Sequence, residues 1–184
     1  PINALRPAFE QAIAAGPVVL SAPTGSGKST QVPRWLMASG RVLVVEPRRV
    51  ACRALASRVA ELEGCPLGED VGYAVRDERR AGRQTRALFV TPGIALRMLR
   101  GGDLTRYTTL VLDEFHERGL DLDLLLALVA QAGAAARAPV GVEPMSCVSS
   151  RFSSTHTLNW CWEFASTTLY VPLATNESAA EVMQ

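Results

Sequence analysis

Short apolar runs alternate with segments of helical spacing over about the first three quarters of the chain. Each run is five or six residues long and ends in polar residues or glycine, a pattern typical of a buried strand. The runs cover residues 17–21, 41–46, 86–91 and 109–113. We therefore predict four buried strands.

Two of the intervening segments predict helices. In 49–62, Cys52, Leu55 and Val59 recur at helical spacing, and 120–136 is strongly apolar and rich in alanine. Strands that alternate with helices predict an α/β fold with a mostly parallel sheet and helices on both faces. Because ligands bind beyond the carboxyl ends of such strands, the loops after the four runs are expected to carry the chemistry.

The composition changes near residue 139. The first 138 residues contain 12 serines and threonines, and the last 46 contain another 12. Apolar periodicity is also weak in the last part. We predict one domain over 1–138 and a divergent tail of unknown fold over 139–184. The chain begins at Pro1 without methionine, so a fragment is expected, and a frameshift or a fusion are open explanations of the tail.

Size and apolar content are those of a globular domain. The chain has 184 residues, of which 48% are hydrophobic, enough to bury a core. No run of 18 apolar residues occurs and no basic-then-apolar leader precedes residue 16, so we expect no membrane span and a cytoplasmic protein. The four cysteines form no C-x-x-C pair and are interpreted as reduced thiols.

Positive charge is concentrated before the composition change. All but one of the 19 basic residues precede residue 139, and residues 41–100 contain 12 arginines against 7 acidic residues. Such an excess indicates a polyanionic partner, although many soluble domains have a basic face. Every basic residue is arginine except Lys28, which suggests a specific chemical role for this lysine.

Residues 22–29 follow the first predicted strand and read Ala-Pro-Thr-Gly-Ser-Gly-Lys-Ser, the form of a Walker A loop. Glycines let the backbone curl so that several N–H groups point into one concavity that suits polyphosphate. Lys28 would bridge the outer phosphates of ATP and the Ser29 hydroxyl would bind Mg²⁺. The alternative is a glycine-rich turn before a helix. The candidate nucleotide-binding residues are Gly25, Ser26, Gly27, Lys28, Ser29 and Thr30.

The fourth predicted strand ends in a pair of carboxylates. Asp113 would hold Mg²⁺ through water, and Glu114 would act as the general base that activates the attacking water. Taken alone, an Asp-Glu pair after a strand is more often the start of a solvated loop. The presence of a phosphate loop earlier in the same domain makes the magnesium and general-base interpretation the favoured one. His116 would lie beside the γ-phosphate and could couple it to a second surface. For Glu117, an ion pair with Arg118 or a cap of the next helix is the simplest interpretation.

Five motifs in order resemble those of DEAH-box helicases. They are residues 22–33, Glu-Pro-Arg-Arg-Val-Ala at 46–51, Gly-Tyr-Ala-Val-Arg at 72–76, Thr-Pro-Gly at 91–93 and Asp-Glu-Phe-His-Glu-Arg at 113–118. The last version is most similar to bacterial HrpB-type proteins. The resemblance covers about residues 1–138.

This resemblance implies a RecA-like P-loop fold and an ATP- and Mg²⁺-dependent helicase that acts on single-stranded nucleic acid, with RNA favoured over DNA. It places backbone contacts to the strand on Arg49, Arg76 and Thr91, which fits because sequence-independent binding uses guanidiniums and hydroxyls. It also implies that Arg58 stacks on adenine. For the three arginines the alternative is an exposed, solvated position.

The chain departs from the family in two respects. The family needs a second RecA-like lobe that supplies arginine fingers, and this chain has one lobe. No Ser-Ala-Thr strand follows 120–138, and the scrambled version at 164–168 is interpreted as chance. Two other functions stay open: a non-catalytic, nucleotide-dependent binding or regulatory module, and a P-loop kinase. The kinase is less favoured because it needs an acceptor pocket and a lid.

Overall fold

A computed structural model of the protein describes residues 2–117, 119–134, 147–148 and 167–173. The strands are β1 (Val18–Ser21), β2 (Val42–Val45), β3 (Val71–Val75), β4 (Glu78–Arg80), β5 (Ala87–Val90), β6 (Thr109–Leu112), β7 (Cys147–Val148) and β8 (Thr167–Pro172). The helices are α1 (Arg6–Ala15), α2 (Lys28–Met37), α3 (Arg49–Glu63), α4 (Pro92–Arg100) and α5 (Leu120–Ala134). Two 3₁₀ turns cover Ile2–Leu5 and Asp103–Arg106.

The strands form one sheet in the order β4-β3-β5-β2-β6-β8-β1-β7. Strands β3, β5, β2 and β6 pair in parallel. Strand β8 is antiparallel to both β6 and β1, so β1 runs in the same direction as the parallel strands. The carboxyl ends of β1, β2, β3, β5 and β6 therefore lie at one edge of the sheet. The predicted fold class, a RecA-like α/β sandwich with a mostly parallel sheet, is confirmed.

The four predicted strands correspond to β1, β2, β5 and β6, and the two predicted helices to α3 and α5, each within about two residues. The pattern did not predict the antiparallel hairpin β3–β4. Its turn is made by Arg76 and Asp77, and Asp77 adopts a left-handed φ of 67°. Gly72 lies so close to β4 that an added Cβ would clash with the Arg80 carbonyl oxygen.

The sheet has a hydrophobic layer on each face because successive side chains of a strand point in opposite directions. Along β2, Val42 and Val44 join one cluster, and Leu43 and Val45 join the other. All four are fully buried. A fully apolar strand of this kind is what a sheet covered by helices on both faces requires.

The predicted boundary between residues 138 and 139 lies outside the described residues, as does most of the predicted tail, so the division into domain and tail remains a prediction. Two segments beyond the boundary are described, and both belong to the sheet: β7 beside β1, and β8 between β1 and β6. None of the helices in the described part is long and apolar enough to cross a membrane.

Candidate nucleotide site

The loop after β1 curls tightly before α2 begins. Gly25 and Gly27 have φ values of 78° and 94°, a region that side chains other than glycine rarely adopt. The Ser26 N–H donates to the Pro23 carbonyl at 3.1 Å, which closes the turn. Gly27 caps α2, and the first N–H groups of a helix carry partial positive charge and have no acceptor within the helix. The loop therefore suits a phosphate group.

Lys28 meets the acidic end of β6. Its side chain is buried, with 4% exposed, and Nζ lies 3.7 Å from Glu114 Oε1. The two segments are distant in sequence, but both follow strands that end at the same edge of the sheet. The structure thus brings together the predicted phosphate loop and the predicted carboxylate pair.

Asp113 is 1% exposed, and its two carboxylate oxygens differ in their hydrogen-bond partners. Oδ1 accepts the Glu114 N–H at 3.0 Å and the Thr168 hydroxyl at 2.6 Å. Oδ2 is buried and accepts no hydrogen bond within the part of the chain that the structure describes. Such an oxygen is costly to bury without a partner, and carboxylate oxygen is a ligand that Mg²⁺ prefers. The donor set therefore fits a magnesium ion.

Glu114 has an unusual backbone conformation, with φ of 47°. One carboxylate oxygen faces Lys28, and the other, Oε2, lies 3.3 Å from His116 Nδ1. The structure therefore places His116 against the predicted general base, at the surface of the site. Ser29 and Thr30 belong to the first turn of α2, where the Thr30 hydroxyl donates to the Gly27 carbonyl at 3.1 Å. The catalytic and ligand-binding roles of these residues remain predictions.

The residues predicted to contact a nucleic-acid strand also follow strands at this edge. Arg49 begins α3 after β2, Arg76 lies in the turn after β3, and Thr91 caps α4 after β5. Both arginines are exposed, and the Arg76 guanidinium lies 3.8 Å from the Asp77 carboxylate. Exposure fits either a strand contact or a solvated face. Arg58 is also exposed and pairs with Glu61 on α3 at 3.0 Å.

Three features of the site were missed by sequence reasoning. Glu117 pairs with Arg48 on the neighbouring loop. Arg118, the partner expected from the sequence, lies outside the described residues. Thr168 contacts Asp113 from an antiparallel strand that no sequence pattern indicated. Glu46 is 2% exposed and accepts the Arg48 N–H at 3.2 Å. For Glu46, the only sequence signal was its position at the end of an apolar run.

Burial is the main cause that raises the pKa of Glu46 to about 7. The Arg48 N–H lowers this pKa, and the nearby Asp113, Glu114 and Glu117 carboxylates contribute smaller increases to the same value. The folded protein thus holds a proton that the unfolded chain releases near pH 4.5, so stability falls as pH rises through about 7. We expect Glu46→Gln to stabilise the metal-free protein by about 2 kcal/mol more at pH 8 than at pH 5.

Urea unfolding at the two pH values measures this difference. Glu10→Gln, at an exposed glutamate paired with Arg6 on α1, is the matched control and should show little change between the two pH values. An equal effect of Glu46→Gln at pH 5 and pH 8 would show that Glu46 is already ionised in the folded protein at low pH.

Comparisons with known proteins agree with this geometry. The profile of a family described as "DEAD/DEAH box helicase" matches residues 6–126. The chain is 44% identical over 135 residues to "ATP-dependent RNA helicase HrpB" of Escherichia coli (strain K12), a match that covers 70% of this chain and 17% of the relative. It is 43% identical over 119 residues to "Probable ATP-dependent RNA helicase DHR2" of Saccharomyces cerevisiae, covering 60% and 16%.

A solved structure gives the same result. The structure described as "Crystal structure of Escherichia coli DEAH/RHA helicase HrpB" superposes with a TM-score of 0.68 at 43% identity. The match covers 71% of this chain and 18% of that chain. The chain therefore spans less than a fifth of the length of these relatives.

Proposed function

Because the chain belongs to the DEAD/DEAH box helicase family, we propose that it is the ATP-binding lobe of an ATP-dependent, DEAH-type nucleic-acid helicase in the cytoplasm. The observation that carries the proposal is the buried contact of Lys28 with Glu114, beside an Asp113 oxygen that accepts no hydrogen bond from the described residues. A lysine and two carboxylates at the carboxyl edge of a parallel sheet are the groups that phosphoryl transfer needs.

Each group has a distinct task in this proposal. The glycine loop and Lys28 bind the phosphates of ATP, and Asp113 and Ser29 hold Mg²⁺, which supplies positive charge against the phosphate oxygens. Glu114 accepts a proton from the attacking water. Lys28 Nζ lies 3.7 Å from Glu114 Oε1, so nucleotide binding replaces this ion pair with contacts between Lys28 and phosphate.

The nucleic acid in the proposal is a single strand, with RNA favoured because relatives are named RNA helicases. Arg49, Arg76 and Thr91 contact its backbone along the edge where the nucleotide also binds. Exposed guanidiniums give affinity without reading the base sequence. The nearness of the two sites at one edge is the physical basis for coupling ATP turnover to strand binding.

A second RecA-like lobe is part of the proposed active form. An arginine finger from such a lobe is typically worth about 10³ to 10⁵ in rate. We therefore expect the 184-residue chain alone to bind nucleotide weakly and to hydrolyse it very slowly, with or without single-stranded RNA. Phosphate release under single-turnover conditions measures this. Robust RNA-stimulated turnover by the isolated chain would contradict the need for a second lobe.

The test of the function adds the second lobe of a HrpB-type relative in trans. We expect RNA-stimulated ATP hydrolysis that Glu114→Gln abolishes while nucleotide binding is retained. Nucleotide binding that never leads to turnover, even with the second lobe, would instead favour a non-catalytic binding module. Phosphate transfer to a small acceptor, unaffected by RNA, would favour a kinase.

A further inference from the structure

An ion pair joins the loops that follow β2 and β6. The Arg48 guanidinium donates its Nε–H to Glu117 Oε2 at 3.0 Å and an Nη2 hydrogen to Glu117 Oε1. Two parallel hydrogen bonds between one guanidinium and one carboxylate fix the orientation of both groups. The loops are neighbours because β2 and β6 pair in parallel, with Val45 opposite Leu112. The pair is therefore a side-chain link between these two loops.

On one side of this link lies the proposed strand-binding surface. Arg48 immediately precedes Arg49, and 70% of its side chain is exposed even while it holds Glu117. A guanidinium binds phosphate with the same forked geometry as carboxylate. A strand phosphate held by Arg49 therefore competes with Glu117 for the guanidinium of Arg48.

On the other side lies the proposed general base. The Glu117 N–H donates to the Glu114 carbonyl at 2.8 Å, so the two glutamates stand at the ends of one turn. Glu114 has a left-handed φ of 47°, a sparsely populated conformation that persists only while its surroundings hold it. Its carboxylate faces Lys28. A change at Glu117 thus reaches the lysine of the phosphate loop through a single strained turn.

We propose that Arg48 and Glu117 are positioning residues that couple the binding of a single strand to the binding of MgATP by this lobe. The proposal rests on the proposed function, because it needs both ligands. A strand phosphate draws Arg48 away from Glu117, and the Glu114–Glu117 turn then changes its contact with Lys28. Neither Arg48 nor Glu117 needs to touch the nucleotide.

The experiment measures the dissociation constant of a fluorescent ATP analogue with Mg²⁺, with and without a saturating uridine oligonucleotide. We expect the strand to change the nucleotide affinity of the wild-type chain by about fivefold to tenfold, and the nucleotide to change the strand affinity by the same factor. In Arg48→Ala and in Glu117→Gln this factor should fall below about twofold. Because the pair is already broken in these variants, their affinity for MgATP without the strand should lie within about twofold of the affinity that the wild-type chain shows with the strand bound.

Two further variants make the test specific. The double variant Arg48→Ala/Glu117→Gln should show no loss of coupling beyond either single variant, because both substitutions break the same link. Arg6→Ala breaks a comparable exposed pair, Arg6 with Glu10 at 2.7 Å on α1, and should leave the coupling factor unchanged. A merely structural role for the Arg48–Glu117 pair would lower stability and leave the coupling factor intact.

The outcomes separate this inference from the proposed function. A wild-type chain that binds both ligands without mutual influence overturns the coupling and leaves the function standing. So does a coupling factor that survives both single variants, or losses that add in the double variant. A wild-type chain that binds no MgATP at all overturns the proposed function and the coupling with it.

Discussion

Lys28→Ala is expected to weaken the binding of MgATP by about 100-fold, because it removes a buried cation from a site built for phosphate. Lys28 is the only lysine in the chain, and its side chain is 4% exposed. Its Nζ lies 3.7 Å from Glu114 Oε1, so the variant also leaves a carboxylate that repels the incoming nucleotide. Both effects act in the same direction.

Titration with a fluorescent ATP analogue measures the loss, and thermal denaturation shows whether the variant remains folded. Lys28→Met is the matched variant, since it keeps the methylene stem and removes the charge. We expect it to lose affinity as Lys28→Ala does while unfolding at a temperature closer to that of the wild type. Undiminished nucleotide affinity in a folded Lys28→Met protein would place the phosphates elsewhere in the molecule.

The central strands could be predicted from sequence because helices cover both faces of the sheet. Every residue of β2 and β6 is buried, so each appears as an uninterrupted apolar run between polar positions. The phosphate loop could be predicted equally well, because its glycines, lysine and serine lie within five consecutive residues and define the turn locally. For both features the information lies within a few neighbouring residues.

Other features depend on which strands become neighbours, and a single sequence does not encode that locally. Arg48 meets Glu117 because of the parallel register of β2 and β6, a pairing across 69 positions that local sequence patterns do not indicate. Thr168 reaches Asp113 because β8 lies antiparallel between β6 and β1. The hairpin β3–β4 was missed since its turn is Arg-Asp, without the Asn-Gly or Asp-Gly that typically marks such a turn.

Phe9→Ala is expected to lower the free energy of unfolding by about 4 kcal/mol, because it removes a large side chain from a closely packed core. Phe9 on α1 is 1% exposed. Its ring meets Tyr170 of β8 edge-on, with centroids 4.9 Å apart, and lies 6.0 Å from the ring of Trp35 on α2. Such a loss is a large share of the stability of a domain, which is typically about 5–15 kcal/mol.

Urea unfolding followed by circular dichroism measures this loss, and Val50→Ala, at an apolar side chain that is 77% exposed, is the matched control with an expected change below about 0.5 kcal/mol. A double-mutant cycle with Tyr170→Ala then tests whether β8 belongs to this core. We expect a coupling energy of about 1 kcal/mol between the two rings. Strictly additive losses would contradict a direct contact between the Phe9 and Tyr170 rings.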